Sequence, residues 1–99
     1  MTGYLLSPAA QADLGEIWDY SAQNWGAEQA ERYVLAIRNA CEALAAGRKR
    51  GRPIDEIRPG YRKLAVQLHF LFYRVTDTGL IDVVRILHRQ MDLAARLKD

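Results

Sequence analysis

The sequence predicts one α+β domain in the order β-α-α-β-β-β: a short N-terminal strand, then an antiparallel two-helix hairpin packed on a mainly antiparallel sheet, with a short C-terminal helix. Three observations predict it. Apolar residues recur at three- and four-residue steps from Ala10 to Leu44, the period of one helix face. From Tyr61 to Leu87 they alternate or run in short stretches, as strands do. Glycines and prolines punctuate the boundaries between these segments.

Tyr4-Leu5-Leu6 is a short apolar run that reads as the first strand. Ser7-Pro8 starts a helix, since a Ser side chain can accept from the free N–H groups and Pro suits the first helical position. Ala10, Leu14, Ile17, Trp18, Ser21, Ala22 and Trp25 give the apolar face, with Asp13, Glu16 and Asp19 placed elsewhere on the cylinder. Asp13 and Glu16 also meet the positive end of the helix dipole favourably. Gly26 stops this helix. Ala30, Tyr33, Val34, Ile37, Cys41 and Leu44 form the stripe of a second, Glu28 and Arg32 make an i,i+4 pair on it, and Gly47 ends it. The connector is too short for the helices to part, so they form a hairpin. Trp18 and Trp25 are read as core or hairpin-interface residues.

Residues 48–60 are rich in Arg, Gly and Pro, which break any regular element. This basic segment is either a nucleic-acid patch or a solvated loop. Strands follow at Tyr61–Val66, His69–Val75 and Leu80–Leu87, the last two joined by a Thr76–Gly79 turn. In the third, Ile81, Val83, Arg85 and Leu87 face one way, and Leu80, Asp82, Val84, Ile86 and His88 the other. Both faces are largely apolar, which predicts a central strand with one face on the hairpin. Asp82 and Arg85 are its charged members, on opposite faces. Met91–Leu97 is the expected last helix.

The chain has 99 residues, enough for one core that buries about 60–65% of the unfolded surface. Cys41 is the only cysteine, so no internal disulfide can form; it reads as a small buried apolar residue in a protein of the reducing cytoplasm. There is no signal-like N-terminus and no apolar run long enough to span a bilayer, so no membrane partner is expected. Charge is uneven. Residues 1–47 carry two arginines against six carboxylates, a net −4, and residues 48–99 carry twelve Lys/Arg against six, a net +6. The second half attracts nucleic acid or an acidic polypeptide.

No phosphate-cradling Gly-rich loop is present, and two histidines with one cysteine make no zinc site, so neither cofactor nor metal is expected. What remains is a set of cations, Arg58, Arg62, Lys63, Arg74, Arg85 and Arg89, with His88 beside them. Metal-free RNA cleavage can be run by such a set: His88 as acid or base, with Arg85 or Arg62 steadying the phosphate. The alternative, which we prefer, is that His88 caps a strand end and the arginines meet an acidic partner.

Five segments together carry a family pattern: Leu6-Ser7-Pro8-Ala9-Ala10 through Asp13-Leu14 to Ile17-Trp18-Asp19-Tyr20; Ala30-Glu31-Arg32-Tyr33; Gly51-Arg52-Pro53 through Glu56-Ile57-Arg58-Pro59-Gly60-Tyr61-Arg62; His69 through Phe72-Tyr73-Arg74-Val75; and Val84-Arg85-Ile86-Leu87-His88 with Met91-Asp92. In this order, over residues 1–99 as a single domain, the chain resembles the ParE branch of the RelE/ParE superfamily of bacterial toxins. The resemblance implies the toxin of a type II toxin–antitoxin pair, which poisons DNA gyrase and is neutralised by the C-terminal segment of a ParD-type antitoxin. Direct sequence-specific DNA binding by the toxin alone is not expected. Arg58, Tyr61, Arg62, Arg85, His88 and Arg89 are the expected contact residues for target or antitoxin. The RelE branch, by contrast, cleaves mRNA on the ribosome, using cations with a tyrosine, or a histidine–tyrosine pair, near the C-terminus. The present sequence has no tyrosine after Tyr73, which favours gyrase poisoning over an endoribonuclease built on His88, Arg85 and Arg62. An inactive relative that only binds antitoxin is the third reading. A second departure is Gln67-Leu68, where the family often has Gly.

Overall fold

The computed structural model describes residues 3–91, as β1 (Tyr4–Leu6), α1 (Pro8–Trp25), α2 (Ala27–Ala45), β2 (Arg52–Pro53), β3 (Arg62–Val66), β4 (His69–Val75) and β5 (Ile81–His88). The strands form one sheet in the order β1-β5-β4-β3-β2, antiparallel except for β1 beside β5. The α+β architecture is the expected one. The helix expected over Met91–Leu97 lies outside the described residues apart from Met91.

The helix boundaries follow from local chemistry. Ser7 has extended backbone, its Oγ accepts from Ala10 N–H at 3.0 Å, and Pro8 follows at the first helical position. Gly26, at φ +92°, ends α1 and starts α2 within one residue. After α2, Arg48 N–H bonds Ala43 C=O and Gly47 N–H bonds Leu44 C=O, with Gly47 at φ +78°, a Schellman closure that needs the positive φ. The Glu28–Arg32 pair forms at 2.9 Å on the exposed face of α2.

The helices cover one face of the sheet. Leu14 and Ile17 of α1, with Tyr33, Ile37, Cys41 and Leu44 of α2, pack on Leu71, Tyr73, Ile81, Val83 and Ile86. Cys41 is buried as expected, and burial pushes its thiol up to about 11.

Several expectations need correction. Trp18 and Trp25 are not core residues: they are 37% and 53% exposed. Periodicity fixes the spacing of a stripe, but the helices meet along a strip narrower than that stripe. Asp13, placed off the apolar face, is instead only 7% exposed and lies over the end of the sheet. The segment 48–60 is not wholly irregular, since Arg52 and Pro53 pair with Lys63 and Arg62. Nor is it merely solvated: Ile54 is 1% exposed and closes a second cluster with Phe72 and Leu87 on the face away from the helices.

Strict alternation in β5 also fails. Tyr73 pairs with Val83 and Phe72 with Arg85, so Val84 is bulged out of register. Past the bulge the faces switch: Ile86 joins the helix side and Leu87 the other. Arg85 thereby comes into register on the same side as Asp82, rather than the opposite one. Finally, β5 is interior only along Ile81–Val83, where β1 covers it. Beyond that, side chains replace the missing strand. Ser7 Oγ donates to Val84 C=O at 2.7 Å, and Asp13 Oδ2 accepts from Ile86 N–H at 2.9 Å. An open sheet edge is thus closed by a cap and a carboxylate.

The β3–β4 hairpin turns through Gln67-Leu68, with Gln67 at φ +52° in the region usually reserved for Gly. Gly51 is fixed for another reason. A Cβ there would lie 2.5 Å from Lys63 O and 2.9 Å from the Tyr73 ring.

Candidate functional site

At the end of the sheet where β5 finishes, helices and strands enclose a groove of about 520 Å³. Tyr20 and Trp25 reach it from the last turns of α1, Tyr33 from α2, Leu68 and His69 from the hairpin turn, and Arg85, His88 and Met91 from the last strand and beyond. Tyr20, Trp25, Leu68 and Met91 are all exposed. Tyr20 and Trp25 stack edge to face at 5.7 Å, so the rim is pre-arranged. Apolar side chains left open around a concave site mark a docking surface.

Ile17, Ile86 and Leu87 line the groove together with paired polar groups. Asp13 receives Arg85 through two bonds, Nε to Oδ2 at 2.8 Å and Nη2 to Oδ1 at 2.9 Å, besides the Ile86 N–H. The bond to Asp13 raises the Arg85 guanidinium further above its ordinary range. Burial, with repulsion from His88 alongside, pushes His69 down to about 4. His69 Nδ1 shares a hydrogen bond with the Tyr33 hydroxyl, whose oxygen also accepts Leu68 N–H at 3.1 Å and lies 3.4 Å from Val66 C=O. Burial raises the Tyr33 phenol against the opposing effect of that N–H. His88 pairs with His69 across the strands, ring to ring at 5.3 Å, and its Nδ1 accepts Gln90 N–H at 3.1 Å.

The expected contact residues do not form one cluster. Arg85 and His88 line the groove. Arg62 lies at the other end of the sheet, its Nη1 donating to Gly51 C=O at 2.8 Å beside a cleft shared with Lys49 and Arg50. Arg58 and Tyr61 stand on the face away from the helices, where Arg58 sits 4.6 Å from the Tyr61 ring centroid. Arg89 joins that face through Phe70, at 5.2 Å. Sequence reasoning missed Asp13, Tyr33, His69 and Trp25. For Asp13 a signal existed: it stands three after Ala10 and four before Ile17, within the buried stripe.

Comparison with known proteins gives a consistent picture. The sequence profile described as ParE toxin of type II toxin-antitoxin system, parDE, matches residues 4–93. A protein named Toxin ParE1 from Mycobacterium tuberculosis is 56% identical over 94 residues, covering 95% of this chain and 96% of that one. Toxin ParE1 of Caulobacter vibrioides is 40% identical, covering 98% and 99%. Among solved structures, a chain of the chromosomal ParDE TA system from P. aeruginosa superposes with a TM-score of 0.76 at 28% identity, over 89% of this chain and 96% of that one.

Proposed function

Because this chain belongs to the ParE family of toxins of type II toxin–antitoxin systems, we propose that it arrests growth by poisoning DNA gyrase, and that a ParD-type antitoxin silences it through the groove between hairpin and sheet. The observation that carries the antitoxin half is the open rim of Tyr20, Trp25, Leu68 and Met91. An amphipathic segment laid there covers exposed aromatic surface, as in other helix-in-groove complexes. The solved ParDE system shares this fold, which supports the same type of pairing. The positive second half of the chain steers an acidic segment toward the site.

Gyrase poisoning is favoured over RNA cleavage by how the cations are used. Arg85 is held by Asp13, and Arg62 by the Gly51 carbonyl at the far end of the sheet. Arg62 is thus remote from His88, and the Arg85 guanidinium, which does share the groove with His88, is turned onto the Asp13 carboxylate, which offsets its charge. Arg58, Tyr61 and Arg89 are the exposed-face residues we assign to target contact, and His88 to the antitoxin side. Arg62 and Arg85 act by holding these surfaces in place.

The deciding experiment is a supercoiling and cleavage assay with purified gyrase and toxin, with and without antitoxin. Accumulated cleaved DNA, reversed by antitoxin, is the expected result. Intact gyrase activity with rapid loss of translated mRNA would replace this reading with the ribonuclease one. Growth unaffected by unopposed expression would leave an antitoxin-binding relative.

A further inference from the structure

Three cation–π contacts occur among the described residues, and all lie on the face of the sheet turned away from the helices. Arg58 stands over Tyr61 at 4.6 Å, Lys63 over Phe70 at 4.6 Å, and Arg89 over Phe70 at 5.2 Å. The rings are anchored from below. Tyr61 and Phe70 pack on the buried cluster of Ile54, Phe72 and Leu87, and Phe70 meets Phe72 edge to face at 6.0 Å. Lys63 and Arg89 form no salt bridge among the described residues; Arg89 Nη1 donates to Gln67 C=O at 3.1 Å, and no carboxylate offsets the charge of either side chain there.

We propose that this face binds single-stranded nucleic acid, with bases taking the place of the cations over the Tyr61 and Phe70 rings and phosphates met by the displaced Arg58, Lys63 and Arg89. The proposal is independent of the target: it can stand if gyrase proves not to be poisoned. Unpaired bases expose π faces, which stack on aromatic rings and on Arg guanidinium planes whatever their sequence. The alternation of ring and cation along one surface supplies both interactions at once. An acidic polypeptide would use the charges alone and leave the rings idle. Asp55 and Glu56 are the carboxylates of the covering loop, and Asp55 is occupied by Gly60 N–H at 2.8 Å.

The test is fluorescence anisotropy of the full chain with end-labelled twelve-nucleotide oligothymidylate, oligouridylate, a duplex of the same length, and a labelled polyglutamate peptide. Nothing on the face selects for the 2′-hydroxyl, so both single strands should bind within a few-fold of each other. The duplex, whose bases are stacked away, should bind at least ~10-fold more weakly. Three phosphate contacts give a log–log salt slope of about −2, falling to about −0.7 in a Lys63→Gln/Arg89→Gln variant. Phe70→Leu keeps the apolar packing but removes the ring, and should lose about 5- to 100-fold in single-strand affinity at a near-normal melting temperature. No single-strand binding at about 50 mM salt, duplex binding of equal strength, a Phe70→Leu variant that binds normally, or polyglutamate bound as tightly would each overturn the proposal.

Discussion

Replacing Asp13 by Ala removes the three hydrogen bonds that join α1 to the end of β5. Two effects set the magnitude. Stranding one partner of a buried ion pair costs about 3–5 kcal/mol. The Arg85 side chain is 26% exposed, so its stranded charge regains some water and the low end applies. The Ile86 N–H also loses its acceptor, a cost of about 1–3 kcal/mol when nothing replaces it. Water entering the vacated space offsets part, and the two costs share one site, so they do not add. We expect a net loss of about 3–4 kcal/mol, a large share of the ~5–15 kcal/mol that holds a domain. Asp13→Asn keeps an acceptor for Ile86 and loses only the charge, for about 2 kcal/mol. Arg85→Ala strands the more deeply buried carboxylate and costs about 3 kcal/mol. The double variant should recover at least ~1.5 kcal/mol of coupling. Urea unfolding followed by tryptophan fluorescence measures all four. An Asp13→Ala loss under about 1 kcal/mol, or strict additivity in the double variant, would refute the view that this seam holds the two layers together.

Other outcomes follow from the same geometry. The folded pKa of His69, about 4, lies below its ordinary 6.5, so its contribution is fully present above pH 6.5 and is lost as pH falls toward 4. Stability should drop by roughly 2–3 kcal/mol over that window in wild type, and by much less in His69→Gln, as read from urea midpoints across pH. Gly51→Ala drives a Cβ into the Lys63 carbonyl and should cost about 2–3 kcal/mol in the same denaturation assay. Gln67→Gly relieves a positive φ and should gain about 0.5–1 kcal/mol net; a loss would show that the left-handed geometry carries no strain. Trp25→Ala should leave stability within about 1 kcal/mol yet weaken antitoxin binding at least ~30-fold by calorimetry. Unchanged affinity would remove the groove as the antitoxin site.

Much of the architecture was legible because it is written locally. Ser7-Pro8, Gly26 and Gly47 set the helix limits through capping rules that need no tertiary partner. The meander was visible in alternation and turn residues. What stayed hidden depended on distant pairings. Asp13 finds Arg85 across 72 positions of sequence, and no local pattern announces that partner. The bulge falls at Val84, next to the identical Val83, which leaves alternation ambiguous. Trp18 and Trp25 have core spacing and core chemistry, but burial depends on what faces them, and Trp25 meets Tyr20 edge on while keeping 53% of its surface exposed. Ile54 and Ile57 did carry a signal, as the apolar pair in an otherwise polar loop. The expected contact residues were found one by one, but their division among two faces and a groove follows from topology. Only the structure supplies that.

The seam between Ser7, Asp13 and β5 also bears on how the chain comes into being. Ser7 meets Val84 across 77 positions, so the first helix cannot dock fully until the last strand exists. During synthesis, the hairpin emerges with Leu14, Ile17 and Ile37 facing water, because the strands they pack on are still unmade. At ribosomal rates of roughly 5–20 residues per second, the interval between Ala45 and Ile86 lasts about 2–8 seconds. Throughout that interval Asp13 is an ordinary solvated carboxylate and the groove has no floor. The groove is therefore assembled only once β5 has been made, and a chain stopped short of Ile86 has neither seam nor groove.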